Sequence, residues 1–170
     1  MRESTRLRGV WVFLAAIAVV GISAGPAQAD SAVWVGATDA TWADTTGNWS
    51  NAPGAVPGAG DTATFSAAAG VGGAIIDLGA GVSINTILFD TANADAYTIG
   101  SGAPGSQTLT LDDSGAVTVN AAVANSQLFN AGILLGTAEA GTYTFTNDST
   151  TSTLTFVGGI AGGTGGTADA

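Results

Sequence analysis

The side chains that could do chemistry in this chain are almost all carboxylates, because the sequence contains no histidine and no cysteine. Nucleophilic catalysis by a Ser-His or Cys-His arrangement is therefore excluded, and a structural zinc site is disfavoured. The adjacent pair Asp112-Asp113 suggests a hydrolase, which uses two carboxylates about 5–10 Å apart. The β-helix enzymes that cleave polysaccharides also need a His, Lys or Arg side chain near the scissile bond, and the sequence has none after Arg8. We therefore predict an exposed turn from Asp112 to Gly115, no catalytic residue and no enzyme activity.

Glycine-rich segments could hold a phosphate or a calcium ion. Gly100 to Gly105 matches G-x-G-x-x-G, but the next segment alternates as a strand and opens no helix, so we predict a loop and no nucleotide site. Gly162 to Thr167 is similar to the calcium-binding Gly-Gly-x-Gly-x-Asp repeat, with Thr167 in place of aspartate. Gly58 to Asp61 is one residue short of that spacing. We expect no cofactor and assign no metal ligand, and we leave incidental Ca²⁺ binding open.

Three tryptophans, Trp34, Trp42 and Trp49, precede the first regular strand. If their rings were exposed in a row, they would form a platform on which sugars stack, so they are the candidate glycan-binding residues. The other interpretation is a cap, because the first coil of a solenoid exposes an apolar core and an unpaired edge. Pro53 and Pro57 donate no hydrogen bonds and discourage strand addition, which favours the cap.

Threonine pairs recur in the strand-like segments and would form flat ranks on one face if those segments stacked in register. Such ranks are the surface that solenoid ice-binding proteins present. The simpler interpretation is the β-propensity of threonine and its solubility without charge, and we favour it. The pairs are Thr108/Thr110, Thr142/Thr144 and Thr153/Thr155.

The N-terminal segment has the pattern of an export signal. Arg2, Arg6 and Arg8 precede an apolar run from Val10 to Ile22, and the small-x-small pattern Ala27-Gln28-Ala29 follows. The run is shorter than the roughly 20 residues that a membrane-spanning helix needs. We predict a signal peptide over residues 1–29, with an uncleaved membrane anchor as the alternative. The protein is then secreted or displayed at the cell surface or outer membrane.

The three arginines of this segment are all the basic residues of the chain, whose formal net charge is −10 at pH 7. Without Lys or Arg after residue 29, the acidic remainder cannot neutralise phosphates, so nucleic acid is excluded as an electrostatic partner. Disulfides are also impossible, although exported proteins often use them. Stability must come from an apolar core and from backbone hydrogen bonds.

The sequence predicts short β-strands as the elements that position the candidate residues. Runs of β-branched and aromatic residues alternate with period two between Gly, Asn and Asp, which indicates an all-β chain. The strand-like segments are similar to one another, and Asn-Gly or Asp-Gly hairpin signals are missing between them. Both features favour a right-handed parallel β-helix, with a β-sandwich as the alternative. The runs are Ala32–Val35, Thr62–Phe65, Ala74–Leu78, Val82–Phe89, Ala96–Ile99, Thr108–Leu111, Ala116–Val119, Gly132–Leu135, Thr142–Thr146 and Thr153–Val157.

Asparagines near strand ends are expected to occupy left-handed bends and to hydrogen-bond neighbouring coils. The predicted organisation has three parts: residues 1–29 are the signal peptide, residues 30–66 form the Trp-rich cap and entry strand, and residues 67–170 form solenoid coils. The chain stops in "GGIAGGTGGTADA", which reads as a coil in progress, so we expect an incomplete C-terminus, typical of a fragment. An unguarded edge there would allow self-association.

The opening of the predicted mature chain resembles that of large exported bacterial proteins that carry autotransporter-associated β-strand repeats. The resemblance lies in Trp34-Val-Gly36, Trp42, Gly47-Asn48-Trp49 and Pro57-Gly58-x-Gly60-Asp61-Thr62-Ala63-x-Phe65, and "TLTFVGGIAGGTGGT" is similar to the repeat core. It implies a right-handed parallel β-helix displayed outside the cell. Those proteins are usually longer and end in a barrel or a sorting signal, which this sequence lacks.

We therefore expect a non-enzymatic, exported structural or surface-display module, which would act as a stalk or as an adhesin-like passenger. A surface glycan or another protein would be its partner. The alternative from another functional class is a carbohydrate-binding β-sandwich that uses Trp34, Trp42 or Trp49 as its platform.

Overall fold

The computed structural model describes residues 31–136 and 141–162, which fold into a parallel β-solenoid of about five turns. The described residues contain strands and no helix, so the prediction of an all-β parallel β-helix is confirmed. The strands are β1 (Ala32–Val33), β2 (Thr62–Phe65), β3 (Ile75–Ile76), β4 (Val82–Phe89), β5 (Thr98–Ile99), β6 (Thr108–Val119), β7 (Gln127–Phe129), β8 (Gly132–Leu135), β9 (Thr144–Asn147), β10 (Leu154–Phe156) and β11 (Ile160–Ala161).

The strands form two sheets in which every named pair is parallel. A seven-stranded sheet has the order β1-β2-β4-β6-β8-β11, with β9 beside β6, and a four-stranded sheet has the order β10-β7-β5-β3. Neighbours in each sheet are therefore successive coils and not hairpin partners. This pairing overturns the β-sandwich alternative, whose sheets would be built from antiparallel strands.

The long strands β4 and β6 turn a corner within the larger sheet. Their pairing shifts register between Ile84 and Thr86, and at the edge that faces away from β4, strand β6 pairs with two different strands. Its first part lies beside β8 and its second part beside β9. The segment Asp112 to Gly115, predicted as a turn between two strands, therefore lies inside β6 as a bulge, and that part of the prediction was wrong. A bulge bends a strand without ending its ladder.

The core is a stack of aligned apolar side chains from successive coils. Ile76 pairs with Ile99, and Ile99 with Phe129; in the other sheet Phe65 pairs with Phe89. All five side chains are fully buried. The rings of Phe65 and Phe89 stack with centroids 5.4 Å apart. Alternation of buried and exposed positions along each strand thus places one face of every coil in a common core.

Amide side chains hold successive coils together at the bends. Gln127, almost fully buried, accepts a hydrogen bond from the Tyr97 backbone N–H at 3.1 Å and donates one to the Asp95 carbonyl at 2.9 Å. Asn130 donates to the Gly102 carbonyl at 2.9 Å. The bonds of Gln127 satisfy polar groups that burial would otherwise leave without a partner.

The expected contacts of asparagine with neighbouring coils are therefore present, but the left-handed bends were assigned to the wrong residue type. Among the described residues the left-handed positions belong to glycines and to Ser114, whose φ is 63°. Gly100 shows why glycine is needed, because its φ is 100°. A Cβ atom there would lie 2.5 Å from the Ala131 backbone nitrogen on the next coil.

The Tyr97 ring lies in the core, and its hydroxyl donates to the Ala67 carbonyl at 2.8 Å. Burial, with a smaller contribution from the Asp95 carboxylate, raises the pKa of Tyr97 to about 12. The pKa of Tyr97 in the folded protein lies above its value of about 10 in the unfolded chain. The protonated hydroxyl of Tyr97 therefore contributes to stability fully below pH ~10, and this contribution is lost as the pH rises through about 12.

We therefore expect the denaturant concentration at which half of the wild-type protein is unfolded to decrease as the pH rises from about 10 to about 12. Tyr97→Phe should show a flatter profile in that range. Denaturant titrations at several pH values measure this, and Tyr143→Phe, which removes a less buried tyrosine whose pKa is also raised, should flatten the profile less than Tyr97→Phe. Parallel profiles for wild type and Tyr97→Phe would contradict the assignment.

The predicted signal peptide, residues 1–29, and most of the glycine-rich tail, residues 163–170, lie outside the described residues. Within the described ranges, no helix has the length and apolar character needed to cross a membrane.

Candidate functional site

The cap is built on a cluster of three indoles that packs against the first coil. Trp49 makes edge contacts with both Trp34 and Trp42, with ring centroids 5.0 and 4.8 Å apart. All three rings lie about 6 Å from the ring of Phe65 in β2. Edge-to-face geometry between aromatic rings is favourable. The indoles extend the aromatic core of the solenoid at its N-terminal end.

The indoles are buried, which removes the candidate glycan platform. Trp34 is 0% exposed, and Trp42 and Trp49 are each 2% exposed. The Trp42 indole N–H donates to the Pro57 carbonyl at 3.0 Å, and that of Trp49 donates to the Trp42 carbonyl at 2.8 Å. A sugar ring stacks on an exposed aromatic face, and these residues present none. The burial of these rings agrees with the cap that the sequence favours and argues against the alternative of an exposed platform.

The cap segment also occupies the free edges of both sheets. Beside β1, Trp34 forms an antiparallel bridge with Trp49, and the Ser50 N–H donates to the Val33 carbonyl at 2.9 Å. Beside β3, Thr41 bridges to Asp77. Edge strands are sites of unwanted pairing unless something covers them. The cap therefore closes the sheet edges as well as the core.

Asn48 organises this cap. Its side chain is fully buried, and its carbonyl oxygen accepts hydrogen bonds from the Thr38 and Asp39 backbone N–H groups at 3.0 and 3.1 Å. Its amide donates to the Asp39 carboxylate at 2.7 Å and to the Thr41 carbonyl at 2.9 Å. One side chain thus fixes the loop between the first two tryptophans. The sequence analysis missed this role; the local signal was an asparagine between a glycine and a tryptophan.

The second candidate site is the acidic bulge of β6. It borders a surface groove of about 440 Å³ whose lining includes Gly60, Asn85, Thr110, Asp112, Asp113 and Gly136. Asp112 accepts a hydrogen bond from the Gly60 backbone N–H at 2.7 Å. The Tyr143 hydroxyl lies 3.4 Å from an Asp113 carboxylate oxygen. Asp113 and Ser114 are exposed, whereas Asp112 is half-buried and Gly115 is buried, so the predicted exposure holds only for the middle of this segment.

The electrostatics of the groove come from its carboxylates. Partial burial raises the pKa of the Tyr143 hydroxyl, and the nearby Asp113 carboxylate raises it further. A phenol with a raised pKa stays protonated at neutral pH and acts as a hydrogen-bond donor. In the described part of the chain, no group of three His, Cys, Asp or Glu side chains could hold a metal ion. The bulge therefore offers hydrogen-bond acceptors and a donor on an acidic surface.

The remaining motifs are distributed over the coils. The loop predicted from Gly100 to Gly105 connects strands β5 and β6, as expected. The threonine pairs do not share a face: Thr110 aligns with Leu134, Thr144 with Ala116, and Thr155 with Leu128. Their ranks are interrupted by aliphatic residues, and a continuous threonine face does not form from them.

Comparison of the chain with protein-family models, with curated proteins and with solved structures found no match.

Proposed function

We propose that the chain is an exported structural module without enzyme activity, a stalk or adhesin-like passenger segment of the kind that carries autotransporter-associated β-strand repeats. The observation that carries the proposal is the continuous parallel stack of coils closed at its N-terminal end by the tryptophan cap. Such a stack has the same cross-section along its axis, so each added coil increases length without changing the fold. This property suits a spacer or display element.

Apart from the bulge in β6, the outward-facing positions of the strands carry no charge, which supports this role. In one outward rank Ser83 aligns with Thr110, and Thr110 with Leu134. In another, Thr64 aligns with Leu88. The described carboxylates lie at bends, in the cap or in the β6 bulge. Faces of this kind would meet a surface glycan or a protein partner through hydrogen bonds and apolar contacts, and the lack of cations disfavours nucleic acid.

Export is tested with the full chain carrying a C-terminal epitope tag in a bacterial host. We expect processing after Ala29, and we expect the tag on the outside of intact cells or in the medium. Ala29→Tyr should block processing, because signal peptidase requires a small residue there. Gln28→Tyr, at the tolerant middle position of the motif, is the matched control. Mass spectrometry of the mature N-terminus and protease shaving of intact cells are the measurements.

Retention of the tag inside the cytoplasm would refute the export half of the proposal. Release of reducing ends or unsaturated products from polysaccharides by the purified protein would refute the non-enzymatic half. Because the indoles are buried, soluble polysaccharides should leave tryptophan fluorescence unchanged, and a saturable spectral shift would revive the sugar-binding alternative.

A further inference from the structure

The strands on one side of the solenoid present threonine side chains to the solvent. This surface, which we call the threonine face, is the outward side of β1, β2 and β9 and of residues 86–89 in β4 and 116–119 in β6. Two ranks of aligned residues cross it from coil to coil without a shift of register. The first rank is Thr62, Thr86, Ala116 and Thr144, and the second is Val33, Thr64, Leu88, Thr118 and Thr146.

The threonine face is more than the general preference of strands for threonine. Threonine fills six of the nine positions in its two ranks. On the outward side of the four-stranded sheet, the corresponding rank alternates between aliphatic residues and threonines: Ile75, Thr98, Leu128 and Thr155. Of the threonine pairs that the sequence suggested, Thr144 is the one member on the threonine face. The other threonines of this face come together only through the pairing of successive coils.

The hydroxyl groups of this face are available to a partner outside the chain. Thr144 is exposed and the other five threonines are half-exposed. In the described part of the chain, only Thr86 of these six uses its hydroxyl internally, donating to the Asn85 side-chain oxygen at 2.9 Å. Threonines elsewhere are used differently: the Thr46 hydroxyl donates to the Asp44 carboxylate at 2.6 Å.

The spacing of the face is set by the geometry of a parallel sheet. Neighbouring strands lie about 4.7–4.9 Å apart, and alternate residues along one strand lie about 6.6–6.8 Å apart. The hydroxyls therefore form a two-dimensional array whose repeats are closely similar to those of oxygen atoms at an ice surface. Each hydroxyl can take the place of a lattice water in the hydrogen-bond network, and the methyl groups restrict the orientation of the waters between them.

The charge and composition of the face distinguish between classes of partner. Neither rank contains a charged or an aromatic residue, and the rings of Phe65, Phe89 and Phe145 on the same strands pack into the core. Protein interfaces usually depend on aromatic or arginine anchors, sugars stack on exposed aromatic rings, and nucleic acids need cations. A neutral, periodic array of hydroxyl and methyl groups instead complements a neutral, periodic lattice.

We propose that the threonine face binds the surface of ice.

Ice growth in the presence of the purified protein is the first test, with ice as the only ligand. The wild type should separate the freezing temperature of a single crystal from its melting temperature and should stop the recrystallisation of small crystals. Thr118→Lys should raise the concentration needed at least about tenfold, because an ammonium group would lose its hydration against a neutral lattice. The matched control is Thr98→Lys, at a half-exposed outward position of the four-stranded sheet, which should act like the wild type.

A gain of activity is the second test, and a misfolded variant cannot imitate it. Leu88→Thr places a hydroxyl between Thr64 and Thr118 in the second rank. It should lower the concentration needed to stop recrystallisation about two- to tenfold, the effect of one further hydrogen bond. Leu128→Thr, at a half-exposed outward position of the other sheet, should leave this concentration unchanged.

Three results with ice would overturn the proposal: no effect of the wild type at its highest soluble concentration, equal weakening by the two lysine variants, or equal effects of the two leucine replacements. Another occupant of the face would overturn it as well. That result would be binding to an insoluble polysaccharide, or self-association, that Thr118→Lys abolishes in a protein whose wild type leaves ice growth unchanged.

Discussion

Replacing Phe65 by alanine is expected to lower the free energy of unfolding by about 3–5 kcal/mol, the range found for large buried aromatic residues. Phe65 is fully buried at the junction between the cap and the coils. Its ring lies 6.1 Å from the ring of Trp34, 5.4 Å from that of Phe89 and 4.8 Å from that of Tyr97. Its loss leaves a cavity between the indoles and the first coil, so the cap and the coils should weaken together.

Denaturant titration followed by tryptophan fluorescence and by far-ultraviolet circular dichroism measures this effect. The two signals report the cap and the coils separately. Val71→Ala is the control, because Val71 is 83% exposed and its replacement should change stability by no more than about 0.5 kcal/mol. A fluorescence transition that shifts while the circular dichroism transition stays in place would show that the cap unfolds independently, contrary to the packing described above.

Replacing Asn48 by aspartate should destabilise the cap in a pH-dependent manner. The amide donates hydrogen bonds to the Asp39 carboxylate and to the Thr41 carbonyl. A carboxylate in its place cannot donate, so its oxygen would face two other hydrogen-bond acceptors, the charged Asp39 carboxylate and the Thr41 carbonyl. Each lost or unsatisfied buried group costs about 1–3 kcal/mol, and more when it is charged. We expect a loss of roughly 3 kcal/mol or more at neutral pH.

The sign of the pH dependence follows from the same contacts. Burial and the Asp39 carboxylate would raise the pKa of the introduced carboxyl group above its unfolded value of about 3.9. The variant should therefore be most stable when this group is protonated, and it should lose stability as the pH rises through the raised pKa.

Thermal melts from about pH 3 to pH 8 compare this variant with Asn48→Ala. The loss of stability of Asn48→Ala relative to the wild type should change little with pH. Asn93→Asp, on an exposed bend, is the matched control for the added charge. A deficit for Asn48→Asp that is the same at both ends of the pH range would contradict this account of the cap.

Much of the fold could be predicted from local patterns. The segments Thr62–Phe65 and Val82–Phe89 were predicted with the bounds that the structure gives them, because alternation along a strand depends on only a few neighbouring residues. The bulge at Asp112 could not be predicted in this way. Its residues resemble a turn, and the register shift opposite Ile84 and Thr86 that keeps them within β6 arises from pairing between coils.

In the candidate sites, too, some features could be predicted from the local sequence and others depend on how the chain folds. Tryptophans ahead of the first strand predicted a cap, and the capping interpretation agrees with the burial of Trp34. Whether the rings were exposed could not be decided from the sequence, because exposure depends on how the segment folds back over Phe65. The roles of Asn48 and Gln127 were also hidden, since the sequence around an amide side chain gives no sign of which backbone groups will surround it.

The cap has an evolutionary consequence. Since it seals only the beginning of the solenoid, an in-frame tandem duplication of a coil, such as the one containing β5 and the first part of β6, inserts a unit whose neighbours already match it. Neither Trp49 nor Asn48 needs to change when this happens. The number of coils can therefore change without altering the contacts within the segment from Ser31 to Phe65.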